Sequence, residues 1–164
     1  MHGSGVHHPL GGGRRTALRS VAIILARYQL RKLKRLYSEF DHDMMLPMLL
    51  GEIALYNIGV LENGADPRFD PVGDAFIGPE CALRPCNAYS IAAATGLPRE
   101  TVRRKIGRLV ELGWIERSDN GQLCVSRKTL EHFGHILQSR DLPELLEIAE
   151  RVRVLVERPA ERTG

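Results

Sequence analysis

The feature that most constrains the fold is a break at Gly96-Leu97-Pro98, which separates two stretches of sequence that favour helix. The first stretch is short and rich in alanine, and Asn87 lies three residues before Ser90, where its side chain can cap the start of a helix. Glycine ends a helix at low cost because it readily adopts the left-handed backbone conformation. Proline suits the first turn of the next helix, where its missing N–H would have no partner. The segment therefore predicts two short helices joined by a tight turn.

The second of these helices is predicted over residues 98–112 and is amphipathic. Glu100 favours its positively polarised start, and Gly113 ends it. The apolar residues recur at spacings of three and four, which places one stripe against a core: Val102, Ile106, Leu109, Val110 and Leu112. The opposite face is strongly basic and carries Arg99, Thr101, Arg103, Arg104, Lys105 and Arg108.

A β-hairpin is predicted directly after this helix. Trp114–Arg117 is a short strand candidate with large apolar residues, and Leu123–Ser126 is the candidate for the return strand. The connection Ser118–Gly121 ends in Asn-Gly, which is a strong signal for a tight hairpin turn. Two short helices followed at once by such a hairpin distinguish this segment from an ordinary helical hairpin.

Residues 87–126 resemble the winged helix-turn-helix domains of MarR-type and GntR-type bacterial transcription regulators. The residues that match are Ala92, Ala93, Gly96, Leu97, Thr101, Val102, Arg104, Ile106, Leu109, Gly113, Trp114 and Ile115. Pro98 departs from the pattern, since such families often carry Ser or Thr there as a helix cap. The resemblance implies a mainly α-helical fold with a small β-hairpin wing, in which a winged helix-turn-helix at residues 86–128 is flanked by N-terminal and C-terminal helices.

The resemblance also implies that the protein binds double-stranded DNA with sequence specificity, as a transcriptional regulator does. A recognition helix lies in the major groove, and arginine commonly reads guanine there. We expect Arg99, Thr101, Arg103 and Arg104 near the bases, Lys105 and Arg108 near phosphates, and Arg117 of the wing, residues 114–126, at the DNA backbone. Two alternatives stay open: a winged domain used for contacts with another protein, and a DNA-binding role in plasmid or phage replication or partition.

The flanking segments are predicted to be mostly helical. A disordered tail, residues 1–15, precedes N-terminal helices at residues 16–62, and an irregular loop rich in proline and glycine follows at residues 63–85. C-terminal helices are predicted at residues 129–159. The individual helices are expected at Thr16–Glu39, Met44–Leu61, Arg127–Ser139 after a Ser126 cap, and Leu142–Glu157 after an Asp141 cap.

The long first helix and the amphipathic last helix are candidate elements of a homodimer. Packing within one chain is the alternative for the last helix. A two-fold dimer would place two recognition helices about 34–36 Å apart, which predicts a pseudo-palindromic binding site.

Charge is distributed unevenly although the formal net charge is only +3. Residues 14–35 hold eight Arg or Lys and no acid, and residues 36–83 hold nine acids and one Arg. Residues 84–128 return to nine basic residues against four acidic ones. The acidic middle is therefore expected to lie away from DNA, or against a basic partner element.

Several other classes of function have little support in the sequence. No apolar run approaches the roughly 20 residues of a membrane span, and the N-terminus lacks the apolar block of a signal peptide. Three cysteines, an odd number, favour a reducing cytoplasm over a disulfide framework. A small-molecule effector would need a pocket between the helical frame and the winged unit, because no separate sensor domain is recognisable.

A metal, a cofactor and catalysis are not expected either. Cys81 with Cys86, and His132 with His135, lack the close spacing and the four convergent ligands of a zinc site. A redox-sensing pair formed by Cys81 and Cys86 remains an alternative. No phosphate-binding glycine loop, nucleophile elbow or catalytic pair of carboxylates is recognisable.

Overall fold

The computed structural model describes residues 12–58 and 83–157. These residues form helices and one small antiparallel hairpin, so the predicted fold class is confirmed at that level. The elements are α1 (Gly12–Glu39), α2 (Met45–Ile58), α3 (Ala88–Thr95), α4 (Arg99–Glu111), β1 (Ile115–Arg117), β2 (Leu123–Val125), α5 (Arg127–Ile136) and α6 (Leu142–Glu157). They divide into two compact units, one of residues 36–139 and one that comprises residues 12–35 and 140–157.

The first helix begins earlier than the sequence predicts. Residues 12–15, assigned to the disordered tail, form the first turn of α1, which starts at Gly12 instead of Thr16. Arg14 and Arg15 are good helix formers, whereas Gly12 and Gly13 are not, so the sequence favours helix only from Arg14 onwards. The remainder of the predicted tail, residues 59–61 of the second helix, the loop through residue 82 and residues 158–159 lie outside the described residues.

The core of residues 36–139 lies between α2, α3, α4 and the hairpin, which contact one another. From α4 it takes Val102, Ile106 and Leu109, so the predicted apolar stripe is confirmed. Each such side chain, when fully buried, contributes about 1.5–3 kcal/mol to the free energy of folding. The other buried apolar side chains of this unit are Phe40, Leu46, Leu49, Leu50, Ile53, Cys86, Ile91, Ala92, Trp114, Ile115, Leu123 and Val125.

The turn between α3 and α4 follows from its local sequence. The Asn87 side chain accepts a hydrogen bond from the Ser90 N–H at 2.9 Å, which confirms the predicted cap of α3. Gly96 ends α3 in the left-handed region, with φ 68°. Pro98 occupies the cap position of α4 rather than its first turn, so α4 begins at Arg99, and the Pro98 carbonyl accepts from the Val102 N–H at 3.1 Å.

The hairpin pairs Ile115 with Val125 and Arg117 with Leu123, and its strands are each one residue shorter than predicted. Gly121 in the connecting turn has φ 80°, a conformation that favours glycine. Cys86 extends the pairing, because it exchanges two backbone hydrogen bonds with Leu123 at 3.1 and 2.7 Å.

A buried asparagine joins α2 to the hairpin. The Asn57 amide nitrogen donates to the carbonyls of Arg84 at 2.7 Å and Leu123 at 3.1 Å. The Asn57 amide oxygen accepts from the Val125 N–H at 2.8 Å. Asn57 is 1% exposed, so these three bonds satisfy polar groups that water does not reach. They fix the position of the hairpin against the helical core.

The C-terminal helices differ from the prediction where they meet. The Ser126 side chain accepts from the Thr129 N–H, which confirms the predicted cap of α5. α5 ends at Ile136, and a π-helical turn, Leu137–Asp141, leads directly into α6. The predicted Asp141 cap is wrong because the carboxylate of Asp141 is instead bonded to Lys32 and Arg140.

Candidate functional site

One face of α4 is anchored in the core, and the other carries a dense set of cations. The helix buries Val102, Ile106 and Leu109. Of the residues predicted to bind DNA on this helix, Arg99, Arg103, Arg104 and Arg108 are exposed, and Thr101 and Lys105 are half-buried. The structure therefore brings six of the seven predicted site residues together on one helix.

The N-terminal half of α4 presents its guanidinium groups to solvent. The Arg99 guanidinium lies 4.5 Å from the ring centroid of Tyr89, an exposed residue of α3 that the sequence reasoning missed. Arg103 donates from Nε to Glu100 at 3.1 Å, and this exposed pair raises the pKa of Arg103 and lowers that of Glu100. Arg104 makes no hydrogen bond or ion pair within the described part of the chain.

The C-terminal half of α4 is paired with carboxylates. Lys105 Nζ forms a hydrogen-bonded ion pair with Asp43 Oδ2. Arg108 bonds to Glu111 at 3.2 Å and to Asp41 at 3.3 Å, and these two bonds raise its pKa. The residues expected to meet phosphates are thus held by acidic side chains of the protein itself.

Asp41, His42 and Asp43 form the segment that holds these cations, which we call the acidic turn. It connects α1 to α2, and Asp41 and His42 have positive φ values of 51° and 64°. The Asp43 side chain also caps α2, because its Oδ1 accepts from the Met45 N–H at 3.0 Å. Partial burial opposes ionisation of Asp43, but its bonds with Lys105 and Met45 outweigh that effect and lower its pKa.

The seventh predicted residue lies on the hairpin. Arg117 is the last residue of β1, is exposed, and makes no ion pair with any residue in the ranges that the structure describes. β1 contacts α4, and the Asn57 bonds hold β2 in place. Arg117 therefore extends from a fixed hairpin next to the basic helix.

The metal and redox alternatives gain no support. His132 Nε2 is hydrogen-bonded to Glu39, and within the described residues no three metal-ligating side chains converge. Burial, together with the nearby Cys124, raises the pKa of the Cys86 thiol to about 11. Cys86 is therefore a protonated and weakly nucleophilic thiol at neutral pH. Its suggested partner, Cys81, lies outside the described residues.

The described helices and the comparisons with known proteins give no membrane span and no family. Within the described part of the chain, every helix falls short of the combined length and apolar character that a bilayer span demands. Comparison with protein-family models, with curated proteins and with solved structures found no match.

Proposed function

We propose that this protein binds double-stranded DNA sequence-specifically through a winged helix-turn-helix formed by residues 86–128, and that it acts as a transcriptional regulator. The observation that carries the proposal is the exposed basic face of α4, on a helix whose opposite face is buried in the core. Such a helix can enter a major groove without unfolding, and its side chains then face base edges and phosphates.

The surrounding elements support this assignment. α3 contacts α4 after the sharp turn at Gly96, and a short antiparallel hairpin follows α4 directly. This order of two helices and a hairpin is that of a helix-turn-helix with a wing. In it, α4 is the recognition helix, and Arg117 on the hairpin meets the DNA backbone.

We assign base contact to the N-terminal half of α4. The first residues of a recognition helix approach the base edges most closely. Within the described residues, the guanidinium groups of Arg99 and Arg104 donate no hydrogen bond, so they can donate to guanine, and Arg99 can do so while it lies over Tyr89. Arg103 can exchange its exposed bond to Glu100 for one to DNA. Thr101 lies between them and is half-buried, which suits contact with a thymine methyl or a phosphate.

Selection from a random duplex library at near-physiological salt tests this function. The expected result is enrichment of one sequence, arranged as an inverted repeat if the protein is a dimer. Absence of any duplex binding, even at low salt, would overturn the proposal and favour a winged domain that contacts another protein.

A pair of matched variants tests the site. Arg104→Ala should weaken binding to the selected sequence by about 1–3 kcal/mol, which is about five- to 150-fold. Arg127→Ala removes the same charge from α5, where Arg127 pairs with Glu131 at 2.7 Å, and should leave sequence preference unchanged. Equal losses for the two variants would show that α4 does not read the sequence.

We infer that the protein is also a homodimer, because α1 carries apolar residues on two sides. On one side, Ile24 lines a groove with Val154 and Leu155 of α6. On another side, Ile23, Ala26, Leu30 and Leu33 recur at spacings of three and four and are all exposed. A row of exposed apolar side chains on a helix is typical of a surface that contacts another protein.

Charge favours a second copy of the chain as that partner. Residues 12–35 carry no acidic side chain, so two copies of α1 placed side by side would repel each other. α6 carries its own exposed apolar residues, Leu142, Leu146 and Val156. Its four glutamates outnumber its two arginines, so the helix is net acidic although Glu150 and Glu157 pair with Arg153. A dimer in which α1 of one protomer contacts α6 of the other therefore joins apolar surfaces and opposite charges.

A further inference from the structure

The acidic turn contacts the same helix that the proposed function places in the DNA groove. Asp43 holds Lys105, and Asp41 holds Arg108 at 3.3 Å. The ammonium and guanidinium donors used in these pairs are the donors that a DNA phosphate would accept from. A carboxylate and a phosphate therefore compete for the same two side chains.

We propose that the acidic turn is a specificity determinant, in which Asp41 and Asp43 occupy Arg108 and Lys105 in place of DNA phosphates and so suppress sequence-independent binding. The inference rests on the proposed function, since it concerns the same helix and the same nucleic acid. It reverses the role expected from sequence for these two cations, which were predicted to meet phosphates.

The backbone keeps the two carboxylates in position. Positive φ values at Asp41 and His42 are strained for residues other than glycine and persist only where neighbouring contacts hold them. The His42 N–H donates to the Tyr37 carbonyl at 2.8 Å, and the Asp43 N–H donates to that of Phe40 at 2.9 Å. The His42 ring also lies edge-on to Tyr37, with 4.7 Å between the ring centroids.

The two ion pairs differ in how easily DNA can displace them. The side chains of Lys105 and Asp43 are 20% and 27% exposed, so this pair is partly shielded from water. The side chains of Arg108 and Asp41 are 48% and 67% exposed. Because solvent screens exposed pairs more strongly, phosphate should displace Asp41 from Arg108 more readily than it displaces Asp43 from Lys105.

The consequence is an uneven charge along α4. The half that we assign to the bases keeps Arg99, Arg103 and Arg104 against the single acid Glu100. In the other half, carboxylates pair with both cations. Attraction to phosphate is independent of sequence. Neutralising the phosphate-facing half therefore lowers affinity for all duplexes and leaves the base contacts to discriminate among them.

Two isosteric substitutions remove only the charge of the turn. In Asp43→Asn, asparagine retains the capping of α2, because Asn and Asp are equally good N-caps. In Asp41→Asn, asparagine retains the positive φ, since it tolerates the left-handed region. Glu131→Gln is the matched control for each single substitution, because it also removes one negative charge but breaks a pair with Arg127 on α5.

The measurement is binding of the full chain to its selected duplex and to a scrambled duplex over a series of salt concentrations. For the double variant Asp41→Asn, Asp43→Asn we expect the slope of log affinity against log salt to steepen by about 0.9 for each cation released to phosphate. Affinity for the scrambled duplex should rise more than affinity for the selected one. Glu131→Gln should change neither the slope nor the preference.

The outcomes separate this inference from the proposed function. If the wild-type chain selects a sequence but the double variant behaves like Glu131→Gln, or binds more weakly, the competition is refuted and the proposed function stands. If the wild-type chain binds no duplex at any salt concentration, both proposals are wrong. If the double variant is less stable than wild type, Asp41→Asn alone decides, because Asp41 is exposed and caps no helix.

Discussion

The two compact units of this chain use their apolar side chains in opposite ways. Residues 36–139 bury a continuous apolar core, whereas within the described parts of residues 12–35 and 140–157 only Ile148 among the apolar side chains is buried. The large apolar residues exposed in the latter unit are Leu18, Ile23, Leu25, Leu30, Leu33, Leu142, Leu145, Leu146, Val154 and Val156. Residues 36–139 are therefore stabilised by their own packing, whereas the other unit leaves exposed the apolar surface on which the proposed dimer depends.

Substituting isoleucine in both units tests this contrast most strongly. Ile106→Ala should lower the free energy of unfolding by about 2–5 kcal/mol, because it leaves a cavity in the core. Ile23→Ala, at a residue that is 47% exposed, should change it by about 0.5 kcal/mol or less in dilute protein. In urea unfolding, the fluorescence of Trp114, the single tryptophan, reports on the unit of residues 36–139, and far-ultraviolet circular dichroism reports on the helices of both units. An equal loss of unfolding free energy in the two variants would show that the two units do not differ in how they use their apolar side chains.

The buried asparagine provides the next largest effect. Asn57→Ala should destabilise residues 36–139 by about 2–4 kcal/mol, since the buried Val125 N–H would lose its acceptor and the carbonyls of Arg84 and Leu123 would each lose one donor. Leu55→Ala is the control on the same helix, because Leu55 is 64% exposed and should contribute little. Trp114 fluorescence again gives the measurement. A cost for Asn57→Ala no larger than that for Leu55→Ala would mean that the three bonds do not hold the hairpin in place.

Sequence reasoning succeeded where the cause is local. The Asn87 cap, the glycine at residue 96 and the stripe of Val102, Ile106 and Leu109 all depend on neighbours within a few residues, and all are confirmed. Within such a short span, the spacing of apolar residues and the capping side chains determine where a helix begins and ends and which face it buries.

The contacts that distinguish the site could not be predicted in this way. Asp43 meets Lys105 across 62 residues, and Asn57 meets Val125 across 68. Spacing reveals which face of a helix is apolar, but it does not reveal which distant side chain lies opposite a cation. Charge patterning gave a partial signal, because it anticipated that the acidic middle of the chain would lie either away from DNA or against a basic partner element.

A charged residue placed in the exposed apolar surface of α1 should dissociate the proposed dimer. Burial of a leucine is worth about 1.5–3 kcal/mol, so Leu30→Glu should weaken self-association at least about tenfold. Leu55→Glu alters an exposed leucine of the other unit and should leave the oligomeric state unchanged. Sedimentation equilibrium distinguishes these results. A wild-type chain that remains monomeric at high concentration would contradict the dimer, and the exposed surface would then require a different partner.

The smallest expected effect concerns the ion pairs that join α6 to α1. Glu144 bonds to Arg35 at 2.6 Å and to Arg31 at 2.8 Å, and the bond from Arg35 is the main cause of its lowered pKa. Because the folded-state pKa lies below the ordinary value of 4.5, this stabilisation is fully present above that value and is lost as pH falls through the lowered one. Glu144→Gln should therefore cost about 0.5–1 kcal/mol at neutral pH, since water screens the arginines.

Circular dichroism melting of Glu144→Gln and of the control Glu116→Gln measures this effect. Glu116 is exposed and has no ion-pair partner in the described ranges, so its substitution should not change the melt. The difference between wild type and Glu144→Gln should shrink toward zero as the pH falls through the lowered pKa of Glu144 and the carboxylate becomes protonated. A difference that persisted there would mean that Glu144 acts through packing instead of charge. Contacts other than the ion pairs of Glu144 with Arg31 and Arg35 would then hold α1 against α6.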